Sequence, residues 1–116
     1  MLKVALIVLV VAACMAFAAP KQACALCSDL KITRDSGYSE DIRSVDDKGC
    51  SILTFKCSGR REISPTFVEF NGGAYGGLDK IGEQKILLVC GSDMKWKYAS
   101  EGTSYTISSL SCAATD

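Results

Sequence analysis

The chain has 116 residues, room for one compact domain, with 13 basic and 13 acidic side chains gathered into no block and not one histidine. A formal net charge of zero lacks the basic footprint of a nucleic-acid or heparin binder. The missing imidazole removes the commonest general base, the usual metal ligand and every histidine-based triad, while seven cysteines in so short a chain point to a disulfide framework.

From the start, Met1-Leu2-Lys3 is a short positive n-region, residues 4–13 form an apolar h-region, and Ala16 and Ala18 supply the small residues that signal peptidase reads. Cleavage is expected after Ala18, giving a signal peptide over 1–18 and one six-cysteine extracellular β domain over 19–116 of a secreted protein. The apolar run is too short for a membrane span and no second one follows. Val11-Ala12-Ala13-Cys14 also fits the loose pattern of a bacterial lipoprotein signal, with Cys14 as the lipidated first residue; on either reading Cys14 leaves the disulfide count.

Cys24, Cys27, Cys50, Cys57, Cys90 and Cys112 remain, an even number, so three disulfides are expected. A domain of about a hundred residues buries only about 60–65% of its unfolded surface. Each long-loop crosslink is worth about 3–4 kcal/mol in the chain-entropy picture, a large part of a typical net stability of about 5–15 kcal/mol. Reduction is expected to unfold the protein.

Residues 19–23 read as a short arm before Cys24-x-x-Cys27. That spacing has a redox reading and a zinc reading, but no strand precedes it to place a thiol at a helix N-terminus, and no second such pair follows to complete a zinc ribbon. Structural cystines are the expectation. Leu30 and Ile32 alternate with polar neighbours as a short first strand, and residues 34–48 are turn-rich with a short edge strand near Ile42. Over residues 51–57, Leu53, Phe55 and Cys57 share one face and the core side. Arg60 and Arg61 follow in a solvated loop and, with Lys56, make the only local basic cluster. Val68 and Phe70 are expected to point inward. The glycine-rich stretch 71–77 reads as a flexible hairpin loop around an exposed Tyr75; it lacks the Gly-Lys-Ser/Thr ending of a phosphate loop.

The most apolar strand ends at Cys90, with Ile86 and Leu88 on the same face and Leu87 and Val89 on the other, the pattern of a strand in the middle of a sheet. After a turn through Gly91, Ser92 and Asp93, Trp96 and Tyr98 share a face opposite Lys95 and Lys97. Tyr105 and Ile107 then alternate in one phase and Leu110 and Cys112 in the other, which implies a bulge near Ser108 and Ser109. No segment past the leader keeps a 3.6-residue apolar period. The expected fold is all-β, a small antiparallel β-sandwich or barrel-like module stapled by three disulfides around Leu53, Phe55, Ile86, Leu88 and Trp96. The carboxylates of Asp46, Asp47, Glu62, Glu69, Asp79 and Glu83 show no spacing that argues for a glycosidase pair. Asn71, the one asparagine, precedes Gly72-Gly73 and is no glycosylation acceptor.

Cys24-x-x-Cys27 with Ile32-Thr33, Gly49-Cys50, Thr54-Phe55-Lys56-Cys57, Val68-Glu69-Phe70-Asn71, Leu88-Val89-Cys90, Asp93-Met94-Lys95-Trp96 and Leu110-Ser111-Cys112 together cover nearly all of the expected mature chain. In this set the chain resembles a six-cysteine extracellular domain of unknown function, found in many secreted and surface proteins of nematodes. It departs from the family at Ser28, Val89 and Met94, where Pro, Thr and Gly are usual. Some family copies lack the first and third cysteines together, so the resemblance implies a Cys24–Cys50 bond. For the other four, the preferred expectation is Cys57 with Cys90 and Cys27 with Cys112; Cys27 with Cys57 and Cys90 with Cys112 stays open, since spacing does not choose among pairings.

The functional expectation is a non-enzymatic extracellular binding or structural module without cofactor or metal, meeting an unknown extracellular protein or glycan through Tyr75, Arg60 and Arg61. The alternative is a secreted effector such as a protease inhibitor or antimicrobial protein. An inhibitor needs an exposed loop held extended, for which residues 58–65 are the candidate.

Overall fold

The computed structural model describes residues 22–115; the leader read over 1–18, with Cys14, lies outside them. After a 3₁₀ turn at Ala23–Ala25 come nine strands, β1 (Lys31–Arg34), β2 (Tyr38–Val45), β3 (Ser51–Ser58), β4 (Pro65–Phe70), β5 (Gly77–Ile81), β6 (Gln84–Cys90), β7 (Trp96–Ser100), β8 (Thr103–Ile107) and β9 (Ser109–Ala114), with a second 3₁₀ turn at Asn71–Gly73 between β4 and β5. They form a four-stranded sheet, order β1-β9-β4-β5, and a five-stranded sheet, order β2-β3-β6-β7-β8. The two sheets make a sandwich and not a closed barrel. All pairings are antiparallel except β1 with β9, which is parallel.

Strict alternation builds the core. Leu53, Phe55 and Cys57 of β3, Ile86, Leu88 and Cys90 of β6, Trp96 of β7 and Ile107 of β8 meet Val68 and Phe70 of β4 and Leu110 and Cys112 of β9, all buried. Period two puts one face of each strand into the gap, and each fully buried large apolar side chain is worth about 1.5–3 kcal/mol. β6 is indeed an interior strand, but only one of its faces is covered: Leu87 is 55% and Val89 38% exposed.

The chain changes sheets at residues 35–37, 59–64 and 82–83, which the registers gather at one end of the sandwich, while the β2–β3, β4–β5 and β6–β7 turns lie at the other. The fourth change, at Ser108, is at this hairpin end. The phase break there is therefore not a bulge: Ile107 leaves the five-stranded sheet and Leu110 enters the four-stranded one, both still facing the shared core.

Asn71 latches that crossing. It sits at φ 51°, a left-handed conformation that asparagine tolerates better than most residues. Its Nδ2 donates to Thr106 O at 2.9 Å, and its Oδ1 accepts from the backbone N–H of Ser108 at 2.7 Å and of Ser109 at 3.2 Å. The glycine-rich loop after β4 is thereby anchored at its first residue. Two further elements exceed the sequence expectation: β2 runs eight residues where a short edge strand near Ile42 was expected, and β5 starts on a glycine and carried no signal.

At the crossover end, buried Gln84 donates through Nε2 to Thr66 O (3.1 Å), Thr66 Oγ1 (3.1 Å) and Leu78 O (2.8 Å), while Thr66 Oγ1 donates to Gly82 O (2.7 Å). This satisfied polar cluster ties β6 to the opposite sheet, the condition under which buried polar groups cost little. Beside it, Gly37 packs so closely on Cys112 that a Cβ would lie 2.5 Å from Sγ, a distance real Cβ atoms do not tolerate.

The disulfides are Cys24–Cys50, Cys27–Cys90 and Cys57–Cys112. The first is the bond the resemblance implies; the other two overturn both expected pairings. Cys57 is opposite Gln84 on β6, so Cys90 lies roughly 20 Å along the strand at about 3.4 Å per residue, beyond the Cα separations of about 4.4–6.8 Å that a disulfide spans. Sharing a face of neighbouring strands was no substitute for sharing a level. Cys57 instead reaches across the core to Cys112, both wholly buried, while Cys24 and Cys27 pin the N-terminal segment over the hairpin end, where Trp96 Nε1 donates to Ser28 O at 2.8 Å.

Two outcomes follow for stability. Replacing Cys57 and Cys112 together by alanine removes a crosslink of sequence separation 55, worth about 4 kcal/mol, and opens space in the core; urea unfolding should show a larger loss than the Cys24→Ala/Cys50→Ala pair, whose separation is 26. Asn71→Ala should cost about 1–3 kcal/mol through orphaned backbone groups. Asn71→Asp, which keeps the acceptors for Ser108 and Ser109 but loses the donor to Thr106, should cost less.

Candidate binding surface

The residues expected to contact a partner do not form one site. Tyr75 is half exposed in the β4–β5 loop at the hairpin end, its ring 5.4 Å from that of Tyr105. Arg60 and Arg61 are exposed in the β3–β4 connection, at the crossover end. That connection is not extended. Ser64 is buried, its N–H donates to Arg61 O at 3.0 Å, and its Oγ accepts from Arg61 N–H at 3.0 Å, so residues 61–64 close a tight turn. The shape an inhibitor loop needs is absent there. Glu62 and Glu83 line the same shallow cleft as the two arginines, so the local charge is mixed.

Other charged side chains are engaged by the fold. Arg34 pairs with Asp41 at 3.0 Å and Arg43 with Asp29, closing the seam where the β1 and β2 edges face each other. The Arg43 guanidinium also sits 5.4 Å from the Trp96 ring centroid, a cation–π contact that covers the tryptophan's outer side. Asp46 Oδ1 accepts from the N–H groups of Lys48 and Cys50, both at 2.9 Å, and shapes the turn that carries Cys50. The Asp93 carboxyl is held below the usual carboxylate range, chiefly by the hydrogen bond from Lys97 Nζ (2.8 Å), with help from Lys95 N–H. In the same turn Met94 takes φ 62°, a conformation unfavourable for a side chain and natural for glycine, which accounts for the glycine usual there in the family it resembles.

Among the described residues no group of three or more His, Cys, Asp or Glu side chains is placed to hold a metal ion, and no helix is long and apolar enough to cross a membrane.

The outer face of the five-stranded sheet differs from these polar regions. The registers set Ile42, Thr54 and Leu87 side by side on one level and Ser44, Ile52, Val89, Lys97 and Thr106 on the next. Ile42, Ile52, Leu87 and Val89 thus form one apolar patch around Thr54, with Ile42 43% exposed and Leu87 more open. Lys56 and Lys85 lie directly opposite each other below it, with Glu40 3.9 Å from Lys56 on its far side. The sequence places Leu87 and Val89 on a second apolar face of a strand in the middle of a sheet, and β6 is such a strand, with that face turned to solvent. The signal that was missed is that β2 and β3 also alternate, so no element remained to cover it.

Beside the patch the sheet opens. β7 pairs with β6 only through Val89↔Lys97 and Cys90↔Trp96, and from Tyr98 onward it pairs with β8 alone. Tyr98 stacks on Phe70 with ring centroids 4.9 Å apart, and β8 passes to the other sheet through the single residue Ser108, so the β7–β8 hairpin leans over the side of the sandwich. A groove of about 410 Å³ separates Lys85, Leu87 and Val89 on one bank from Lys97, Ala99 and Ser104 on the other. Its size lies within the range of about 300–1,000 Å³ common for ligand clefts.

No curated protein and no solved structure matches the chain. A family model does: the C6 domain, over residues 13–112, a span that takes in all six paired cysteines and begins inside the stretch read as a leader. A match over that much of the sequence, with six cysteines joined in three bonds, decides the matter: the chain belongs to the C6 domain family, a family of six-cysteine modules.

Proposed function

We propose that this protein is a secreted, non-enzymatic extracellular module that binds a partner protein through the outer face of its five-stranded sheet. Three disulfides in a small cysteine-rich domain are typical of extracellular proteins. The observation that carries the reading is the apolar patch of Ile42, Ile52, Leu87 and Val89 at the centre of a solvent-facing sheet. Antiparallel sheets with one wet face normally turn polar residues to it, and a contiguous apolar patch rimmed by polar residues marks an interaction surface. The disulfides and the Gln84 cluster hold the sheet rigid, so a partner meets a preformed surface and little ordering entropy is lost on binding.

The test is capture from extracellular fluid on immobilised protein, with a glycan array beside it. Wild type, Tyr75→Ala and the Arg60→Ala/Arg61→Ala double variant should retain the same protein partner. Leu87→Asp should weaken capture at least tenfold without moving the melting temperature, since Leu87 is half exposed. Loss confined to the loop variants would move the site to the loops, and glycan binding untouched by Leu87→Asp would contradict the sheet-face reading.

A further inference from the structure

The groove between β6 and β7 has a chemistry of its own. Gly91 N–H donates to Lys95 O at 2.8 Å, which makes these two a hydrogen-bonded pair in the turn. Hydrogen-bonded and non-hydrogen-bonded pairs alternate along an antiparallel ladder, so Val89 and Lys97 are the next hydrogen-bonded pair. By the same alternation the N–H and C=O groups of Leu87 and Lys85 point toward β7. They find no register partner there, because the β6–β7 pairing ends at Val89↔Lys97. Ile86 and Leu88, whose main-chain groups point the other way, are paired with Phe55 and Leu53 of β3. A strand interior to its sheet therefore presents, over half its length, the open main-chain edge otherwise found at a sheet border.

Deepening the binding-module reading and resting on it, we infer that this groove accepts an extended segment of a partner protein as an added β-strand. The strand hydrogen-bonds to the main chain of Lys85 and Leu87, lays apolar side chains against Leu87 and Val89, and brings an acidic side chain to Lys85. Main-chain donors and acceptors in strand spacing select an extended peptide over a sugar or a compact ligand, the mode known as strand addition. Charge selects its flank. On the β7 bank the Lys97 ammonium is already held by Asp93 Oδ2 at 2.8 Å and Thr106 Oγ1 at 2.7 Å. Lys85 has no carboxylate partner among the described residues and faces another lysine, Lys56, across the ladder. Like charges directly opposite are unfavourable in a sheet, and an incoming carboxylate relieves them.

The experiment is amide hydrogen exchange and NMR titration on the oxidised protein with a blocked hexapeptide in which threonine and valine alternate between two terminal glutamates. In the free protein the Lys85 and Leu87 amides should exchange at least a hundredfold faster than those of Ile86 and Leu88. The peptide should slow the first two at least tenfold; terminal lysines in place of the glutamates should weaken binding at least tenfold, and prolines in place of the valines should abolish it. Protection of Lys85 and Leu87 in the free protein would overturn the inference, whether it came from β7 or, if it rose with concentration, from a second copy of the chain. Shifts at the methyls of Ile42, Ile52 and Leu87 without slowed exchange would overturn strand addition and leave the sheet-face reading standing. Absence of any peptide shift alongside intact capture of a partner by wild type would do the same, whereas loss of both would count against both readings.

Discussion

The Cys57–Cys112 bond joins β3 of one sheet to β9 of the other through a core that both sulfurs help to fill. Packing alone holds two small sheets only marginally at this chain length. With the crosslink in place, the three sheet changes at the crossover end have a fixed frame to close on. Gly37 shows how tightly they close, since its lack of a side chain is what lets the β1–β2 connection lie against Cys112. The hairpin end is held by different means: two disulfides to the N-terminal segment, the indole hydrogen bond to Ser28, and the side chain of Asn71.

The core was legible in the sequence because it is local. Alternation in residues 51–57 and 84–90 fixes which side chains face inward, and Leu53, Phe55, Ile86, Leu88 and Trp96 are all buried. What was not legible depends on register between distant strands. Cys57 and Cys90 lie on the same face of adjacent strands, which made them look bondable, but the β3–β6 register sets them at opposite ends. The phase break at Ser108 was visible, yet a bulge and a passage between sheets leave the same trace in alternation; only the sheet order separates them. β5 begins on a glycine and shows little alternation, so no local pattern announces it. The candidate surface was half visible, in the apolar residues Leu87 and Val89, but alternation alone does not say whether a face is covered, because that depends on how many elements remain to cover it.

A division of labour runs through the molecule. The residues a sequence reader marks for chemistry, the cysteines, the tryptophan and most of the charged pairs, serve the fold: Arg43 shields Trp96, Asp46 shapes the turn that carries Cys50, and Arg34 and Asp41 close a seam. The surface proposed for a partner is made of plain aliphatic side chains and open main chain. The one-residue passage at Ser108 and the Phe70–Tyr98 stack draw the β7–β8 hairpin toward the other sheet, and that same pull exposes the edge of β6. Fold and candidate function are therefore linked through the β3–β6 register and the crosslinks that fix it.

Peptide mapping of the disulfides in the unreduced secreted protein tests this framework most directly. Crosslinked peptides containing Cys57 with Cys112, Cys27 with Cys90 and Cys24 with Cys50 are the predicted result. A Cys57–Cys90 peptide would contradict the β3–β6 register, and with it the sheet order, the apolar outer face and the open edge of β6.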